Sequence, residues 1–316
     1  MDNIAHTLAG IALAEAGLRR RTGLATATLA IGANLPDVDA LIYVASSSVD
    51  ALAFRRGWTH GILAMVMLPL MLAGIMLAWN RLVRRKHGHS RQPVDPRWLL
   101  IVAAIGIWSH PLLDLLNTYG VRLLMPFSGR WFYGDTLFIV DPWLWGSLAV
   151  GIVLSRIRRR RQSFRPELPT RVAIGALLVY VAAMAGSSRL GRAYVDGDAS
   201  ESALRTMVAP QPITPFSRAV VRDLGTVYED GRLLWGVVPR YEPGERTPVG
   251  RDAPGVQQAR NDQNVAAFLS WSRFPLFTTV PGPDSTVVRI TDMRYPGQPW
   301  ASVEVMVPAG REFAIP

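Results

Sequence analysis

Uncharged apolar stretches alternate with short arginine-rich ones through the first 189 residues. From His60 to Trp79 run 20 residues without a formal charge. At about 1.5 Å rise per residue they reach roughly 30 Å, the thickness of a hydrocarbon core. Comparable windows follow at Trp98–Asn117, Leu137–Ser155 and Val172–Ser188, the first two interrupted only by His110, Asp114 and Asp141. These four windows predict spanning helices. Ile4–Leu18 and Thr22–Val44 are also apolar, but the first is short and the second carries Pro36 and two aspartates, so they are expected to span or to re-enter.

After Ser188 the pattern turns to proline, glycine and alternation. Arg218–Leu224, Leu233–Val238, Thr286–Thr291 and Ser302–Val307 read as strands, and Val256–Ser272 as one helix with Asn and Gln on its outer face. The expectation is a mainly α chain. Residues 1–189 would form a polytopic helical membrane domain of about six spanning or re-entrant helices, and 190–316 a small soluble α+β domain.

Composition supports this division: 49% of residues are hydrophobic, 18% are charged and the mean hydropathy is +0.18, which excludes a disordered chain. Cysteine is absent, which removes disulfides, thiolate metal sites, iron–sulfur clusters and a cysteine nucleophile together. Of the net charge of +10, all the excess lies in residues 1–189, with 21 Lys+Arg against 10 Asp+Glu; the remainder has 13 against 14. Only Lys86 is lysine, so no lysine-rich nucleic-acid tail is present and no specific nucleic-acid partner is expected.

The basic residues cluster at Arg19–Arg21, at 81–97 and at 156–171. Basic loops stay cytoplasmic, so placing all three inside gives six alternating spans with both termini, and the soluble domain, outside. Asp2 stands where a signal peptide would carry basic residues, so the first segment is expected to be retained.

Ionisable groups in spans cost about 2.5–3.5 kcal/mol each on insertion scales and need a partner or a purpose. Here they are His6, Asp37, Asp39, His60, His110, Asp114 and Asp141, with Asn34, Asn117 and Asp135 nearby, and the arginine-based topology brings the His and Asp groups to one membrane face. Histidine and carboxylate bind zinc, manganese or iron when cysteine is missing. His110 and Asp114, four apart, share a helix face, and Pro36 breaks the helix so that Asp37 and Asp39 can approach one centre. His60 and His6 can complete the shell. Taken singly, each histidine also reads as a hydrogen-bonded core residue, Asp141-Pro142 as a helix start and Asp135 as a turn residue. His87 and His89 fall in the basic loop and are expected to be solvated. No phosphate-binding glycine loop or nucleophile-elbow serine occurs.

Five stretches in order carry a family resemblance. They are His6-Thr7-Leu8-Ala9-Gly10, Asn34-Leu35-Pro36-Asp37-Val38-Asp39, Arg56-Gly57-Trp58-Thr59-His60, Ser109-His110-Pro111-Leu112-Leu113-Asp114, and Tyr133-Gly134-Asp135 leading to Asp141-Pro142. The chain resembles the YdjM-like inner-membrane proteins, described as membrane-bound metal-dependent hydrolases and distantly similar to the zinc-dependent phospholipase C and single-strand nuclease superfamily. The resemblance implies phosphoester hydrolysis with His6, Asp37, Asp39, His60, His110 and Asp114 as ligands to one to three divalent ions, zinc foremost. Many relatives carry His-Arg where this chain has Arg55-Arg56, which removes one candidate ligand. Some relatives are described as binding a repressor.

The reading is an integral inner-membrane metallohydrolase acting at the outer face on a membrane-proximal or lipid-linked anionic substrate. Asp39 or Asp135 would be the general base, and Arg56, with Arg55, would hold the anionic group. The rival readings are a cation or proton transporter, and a regulatory, partner-binding membrane protein with a structural metal site.

Overall fold

The computed structural model describes residues 1–42, 52, 54–84 and 92–308. The end of the Thr22–Val44 segment, with His87 and His89, lies outside the described residues. The chain divides into two compact units, one of Met1–Ala40, Arg56–Ser187 and Pro210–Pro215, the other of Leu41–Arg55, Ser188–Ala209 and Phe216–Pro316.

In the first unit the main helices are α1 (Asn3–Glu15), α2 (Ala25–Gly32), α3 (Ile62–Leu82), α4 (Pro96–Leu115), α5 (Pro142–Arg160) and α6 (Leu168–Asp198), which continues into the second. Caps set their starts. Asp2 accepts from the Ile4 and Ala5 N–H groups, Asp95 from those of Arg97 and Trp98, and Asp141 from that of Leu144. Pro96 and Pro142 occupy first-turn positions where no N–H is needed.

Among the described residues, three helices are long and apolar enough to cross a membrane: Ile62–Leu82, Pro96–Leu115 and Leu168–Asp198. The expectation of six spans is therefore corrected. At about 1.5 Å per residue, α1 with 13 residues and α2 with 8 are too short to span. The apolar run of α5, which returns the chain to the arginine end, is shorter than those three and gives way after Ser155 to Arg156 and Arg158–Arg160. Helix accounts for 49% of the residues and strand for 19%, so a helical unit followed by a β-rich one replaces the mainly α description.

Small residues let the helices of the first unit approach closely. A Cβ on Gly10 of α1 would stand 2.6 Å from the Leu29 carbonyl oxygen of α2, and one on Gly106 of α4 would stand 3.0 Å from the same atom. Leu29, Leu72, Leu99, Val102 and Ile107 fill the core behind these contacts. Leu137, Leu144, Leu148 and Met184 form a second core along α1, α5 and α6.

The three arginine clusters converge at one end. Glu15 pairs with Arg19 (3.5 Å), Arg156 (3.1 Å) and Arg159; Glu167 pairs with Arg20 (2.6 Å); and Arg171 Nε donates to the Ala16 carbonyl (2.8 Å). Gln92 Nε2 reaches the Arg20 carbonyl (2.9 Å), which ties the connection between α3 and α4 to the same place.

In the second unit, β1 (Arg205–Pro210), β2 (Ser217–Asp223), β3 (Val227–Leu234) and β4 (Arg240–Pro248) form a four-stranded sheet in sequence order. β5 (Pro275–Pro281), β6 (Ser285–Asp292) and β7 (Ser302–Pro308) form a three-stranded one. The register lines up Phe277, Ile290 and Val303 as a buried row across the second sheet. The run read as a strand at Leu233–Val238 is the end of β3 and the turn beyond it. The helix read at Val256–Ser272 is two, α7 (Val256–Ala259) and α8 (Gln263–Trp271), because Asp262 starts a new one by capping Asn264 and Val265.

Candidate metal centre

Four side chains from three segments meet away from the arginine end. His110 lies 13 residues beyond Arg97 on α4, about 20 Å along the helix, with Asp114 one turn further on. Asp37 comes from the 3-10 turn Leu35–Leu41 that follows α2, and His60 from the turn before α3. Asp37, His60, His110 and Asp114 each offer a ligand atom within 4.8 Å of the others. His60, His110 and Asp114 are completely buried, and the Asp37 side chain is 8% exposed. This buried group could hold a metal ion.

The ligand atoms and their supports are consistent with that use. His110 Nδ1 lies 2.7 Å from the Ala33 carbonyl oxygen, which can only accept, so Nδ1 carries a proton and Nε2 is the nitrogen turned to the group. For His60 the Thr59 hydroxyl donates to Asp39 Oδ2 (2.7 Å), and its oxygen lies 2.9 Å from His60 Nδ1. That oxygen therefore accepts the Nδ1 proton, and Nε2 is again the nitrogen turned to the group. The two Nε2 atoms are 3.1 Å apart. Asp114 Oδ2 is 3.4 Å from one and 3.5 Å from the other, and Asp37 Oδ1 is 3.9 and 3.6 Å away. A tetrahedral ion with ligands at about 2.0–2.1 Å separates its ligand atoms by about 3.3 Å. The donor set thus fits a small divalent cation, with each histidine held through its other nitrogen as metal-binding imidazoles are.

The remaining sequence-predicted residues surround this group. His6 stacks on His110 (centroids 3.7 Å apart) with Nε2 3.5 Å from Asp114 Oδ1, and both of its buried ring nitrogens lack a hydrogen-bond partner. The Met1 amine contacts the same Asp114 oxygen. Asp39 stands outside the four-residue group. Its Oδ2 accepts from the Arg56 N–H (2.8 Å) and from Thr59.

Arg56, in a left-handed conformation with φ +52°, is 5% exposed. Its Nη2 lies 3.3 Å from Asp114 Oδ1, Nη1 reaches the Gly120 carbonyl (3.2 Å), and the guanidinium covers the Tyr119 ring at 4.6 Å. Arg55 is half-buried and outside the group. Asp135 is buried in the loop after α4, whose Gly134 and Thr136 N–H groups donate to the Asn117 and Leu116 carbonyls. Asp141 is the α5 cap and takes a further bond from the Tyr180 hydroxyl (3.0 Å), which accounts for it structurally.

Sequence reasoning passed over Arg122 and Tyr119. Arg122 is buried, lies over Trp131 at 4.9 Å and donates its N–H to the Arg56 carbonyl. Its only signal in the sequence is a lone arginine among aromatic residues just beyond the His110–Asp114 helix. Asn117 gains a role as well. Its Oδ1 accepts from the Tyr119 and Gly120 N–H groups, which turns the chain back beneath Arg56.

Comparison with known proteins places this geometry. The chain is 25% identical over 328 aligned residues to a protein of Bacillus subtilis (strain 168) described as "Uncharacterized protein YfhP", covering 100% of this chain and 93% of that one. No solved structure matches it. The family model described as YdjM inner membrane protein matches residues 1–189, the stretch that contributes every side chain of the centre. The chain belongs to the YdjM inner membrane protein family.

Proposed function

We propose that this chain is an integral-membrane, metal-dependent hydrolase acting on a phosphoester or lipid-linked anionic substrate. The observation that carries the reading is the facing pair of Nε2 atoms on His60 and His110, 3.1 Å apart and flanked by two carboxylates. Without a metal, a proton between the two nitrogens satisfies the pair; a divalent cation takes that proton's place and engages both carboxylates as well. Zinc is the first choice for two imidazoles and two carboxylates, with manganese or iron next. Bound there, the ion would make water a nucleophile at neutral pH and polarise the bond to be cleaved.

The chain's own residues supply the rest. Arg56 presents a buried guanidinium beside Asp114, where it would hold the anionic group of the substrate. Asp39, committed to the Arg56 N–H and Thr59, orients His60. Asp135, on the loop laid against the end of α4, is then the aspartate assigned as general base. With the arginine end in the cytoplasm, the centre opens at the outer face of a bacterial inner membrane. The charge pattern along the sequence assigns the C-terminal domain to the same side of the membrane.

A structural metal site is the second reading, favoured by the complete burial of His60, His110 and Asp114. The deciding experiment is elemental analysis of detergent-purified protein followed by assay on bis(p-nitrophenyl) phosphate and phospholipids, with His110→Ala and Asp114→Asn alongside. Metal with hydrolysis, both lost in the variants, supports the enzyme. Metal without turnover of any phosphoester supports the structural site, and absence of metal after reconstitution overturns both.

A further inference from the structure

α5 and α6 line a groove of about 780 Å³ that shares no residue with the metal centre. Trp143, Gly146, Val150 and Leu154 line it from α5, and Leu168 and Val172 from α6. The α5 positions recur at three and four residues, which makes them one helix face. From Trp143 to Leu154 that face is about 17 Å long, close to half of a hydrocarbon core about 30 Å thick.

The next position on the same face, four residues beyond Leu154, is Arg158. At that end Arg158 Nη2 donates to the Phe164 carbonyl (2.9 Å), while its Nε is buried without a hydrogen-bond partner. Arg165 lies over the Phe164 ring at 5.1 Å, and its carbonyl accepts from the N–H of Leu168, a groove residue. The carboxylates described at this end are spoken for, Glu15 by Arg19, Arg156 and Arg159, and Glu167 by Arg20 and Arg171. An apolar trough about as long as one acyl chain therefore ends in surplus positive charge.

We propose that this groove is a binding site for one acyl chain of an anionic phospholipid from the arginine-side leaflet, its phosphate resting on Arg158 and Arg165. A zwitterionic lipid offers the same phosphate but brings its own ammonium beside it, so it adds no net negative charge against the arginines. A helix of a second protein, about 10 Å across, would use the apolar walls and have no need of the charge at one end. The proposal does not depend on the hydrolase reading.

Gly146 supplies a clean variant, since a Cβ there meets nothing within 4 Å and Gly146→Leu fills the groove without pressing on the fold. The test is native mass spectrometry of the full-length protein in detergent, titrated with phosphatidylglycerol or with phosphatidylcholine of the same acyl chains. One phosphatidylglycerol should be retained, with about tenfold preference over phosphatidylcholine. Arg158→Gln/Arg165→Gln should bring the two lipids level, and Gly146→Leu should lower retention of both without lowering the melting temperature or changing the metal content. Equal retention of the two lipids by the parent, retention untouched by Gly146→Leu, or a lipid-free dimer that Gly146→Leu dissociates would overturn the proposal.

Discussion

His60 and His110 face each other through Nε2 atoms 3.1 Å apart, and each has its other ring nitrogen tied to an acceptor, the Thr59 hydroxyl in one case and the Ala33 carbonyl in the other. Without a metal a single proton bridges the pair, whereas a divalent cation would engage both nitrogens and both carboxylates at once. Metal removal should therefore loosen the helical unit. At a hundred to a thousand times the dissociation constant, a bound ion contributes about 3–4 kcal/mol of stability. Chelation should lower the melting temperature of the purified protein and zinc should restore it, as followed by differential scanning fluorimetry. A melting curve indifferent to chelator would remove the metal centre.

Asp39 and Asp37 are two residues apart and do different things. Asp37 offers an oxygen to the group, whereas Asp39 holds Thr59, which holds His60. Loss of such a support costs roughly 10–100-fold in metal affinity. Asp39→Asn and Thr59→Ala should weaken binding by that amount at unchanged stoichiometry, while Asp37→Asn should lower the amount of metal that survives purification. Competition with a chromophoric chelator separates the cases, and an Asp39→Asn protein that cannot be loaded would make Asp39 a ligand.

The reach of sequence reasoning follows from which interactions are local. The three long apolar helices, the caps at Asp95 and Asp141, and the His110–Asp114 turn depend on neighbours within a few residues. All are visible as apolar runs, Asp-Pro pairs and i,i+4 spacing. The six-span count overreached because apolar composition does not reveal where a helix breaks. Gly17 with φ +139° ends α1 after 13 residues, and Leu24 with φ +68° precedes an α2 of only 8. The separate duties of Asp37 and Asp39 were hidden for another reason. Their difference is set by Thr59 and Arg56, about 20 residues away, through bonds that no spacing records. In the second unit, β6 alternates buried and less buried positions and was visible, whereas the mostly exposed β4, with Pro243 and Gly244 inside it, carried no such signal.

Two glycines should respond in opposite directions to the same change. A Cβ on Gly10 would stand 2.6 Å from the Leu29 backbone oxygen and 3.0 Å from Ala30 Cα, neither of which can swing aside. Gly10→Ala should cost about 1–3 kcal/mol through overpacking and disturb His6 on the same helix. On Gly74, in α3, an added methyl would meet nothing within 4 Å, and Gly74→Ala should stabilise by up to about 1 kcal/mol through helix propensity. Thermal unfolding of both variants checks the signs; destabilisation by Gly74→Ala equal to that by Gly10→Ala would refute the packing argument.

Membrane orientation is open to direct test because the chain has no cysteine, so each introduced thiol is unique. Arg161→Cys sits among the clustered arginines, and Glu245→Cys on an exposed strand of the C-terminal unit. In intact spheroplasts a membrane-impermeant maleimide should label Glu245→Cys at once and Arg161→Cys only after lysis. The reverse pattern would put the centre on the cytoplasmic side and end the proposal of an outer-face substrate.

Acid should destabilise the C-terminal unit through Asp292. Burial pushes this carboxyl upward, but the Arg294 charge and hydrogen bonds, with the Ser272 hydroxyl, outweigh it and hold the group below the usual carboxylate range. A carboxylate depressed in the folded state adds stability that is fully present above its unfolded value of about 3.9 and is lost as pH falls through the folded one. The unit's melting temperature should therefore hold through neutrality and fall below about pH 4. Glu229, buried among Arg222, Tyr241 and Arg246 and depressed by their hydrogen bonds against the effect of burial, acts with the same sign. Asp292→Asn should reduce the acid dependence and leave Glu229's share. At pH 7 it should cost about 3–5 kcal/mol, since the buried Arg294 loses its counter-charge. Trp271 lies under Arg294 at 4.6 Å, so tryptophan fluorescence during thermal unfolding reports on this site. An Asp292→Asn protein with the parent's acid profile would show that the ion pair does not govern it.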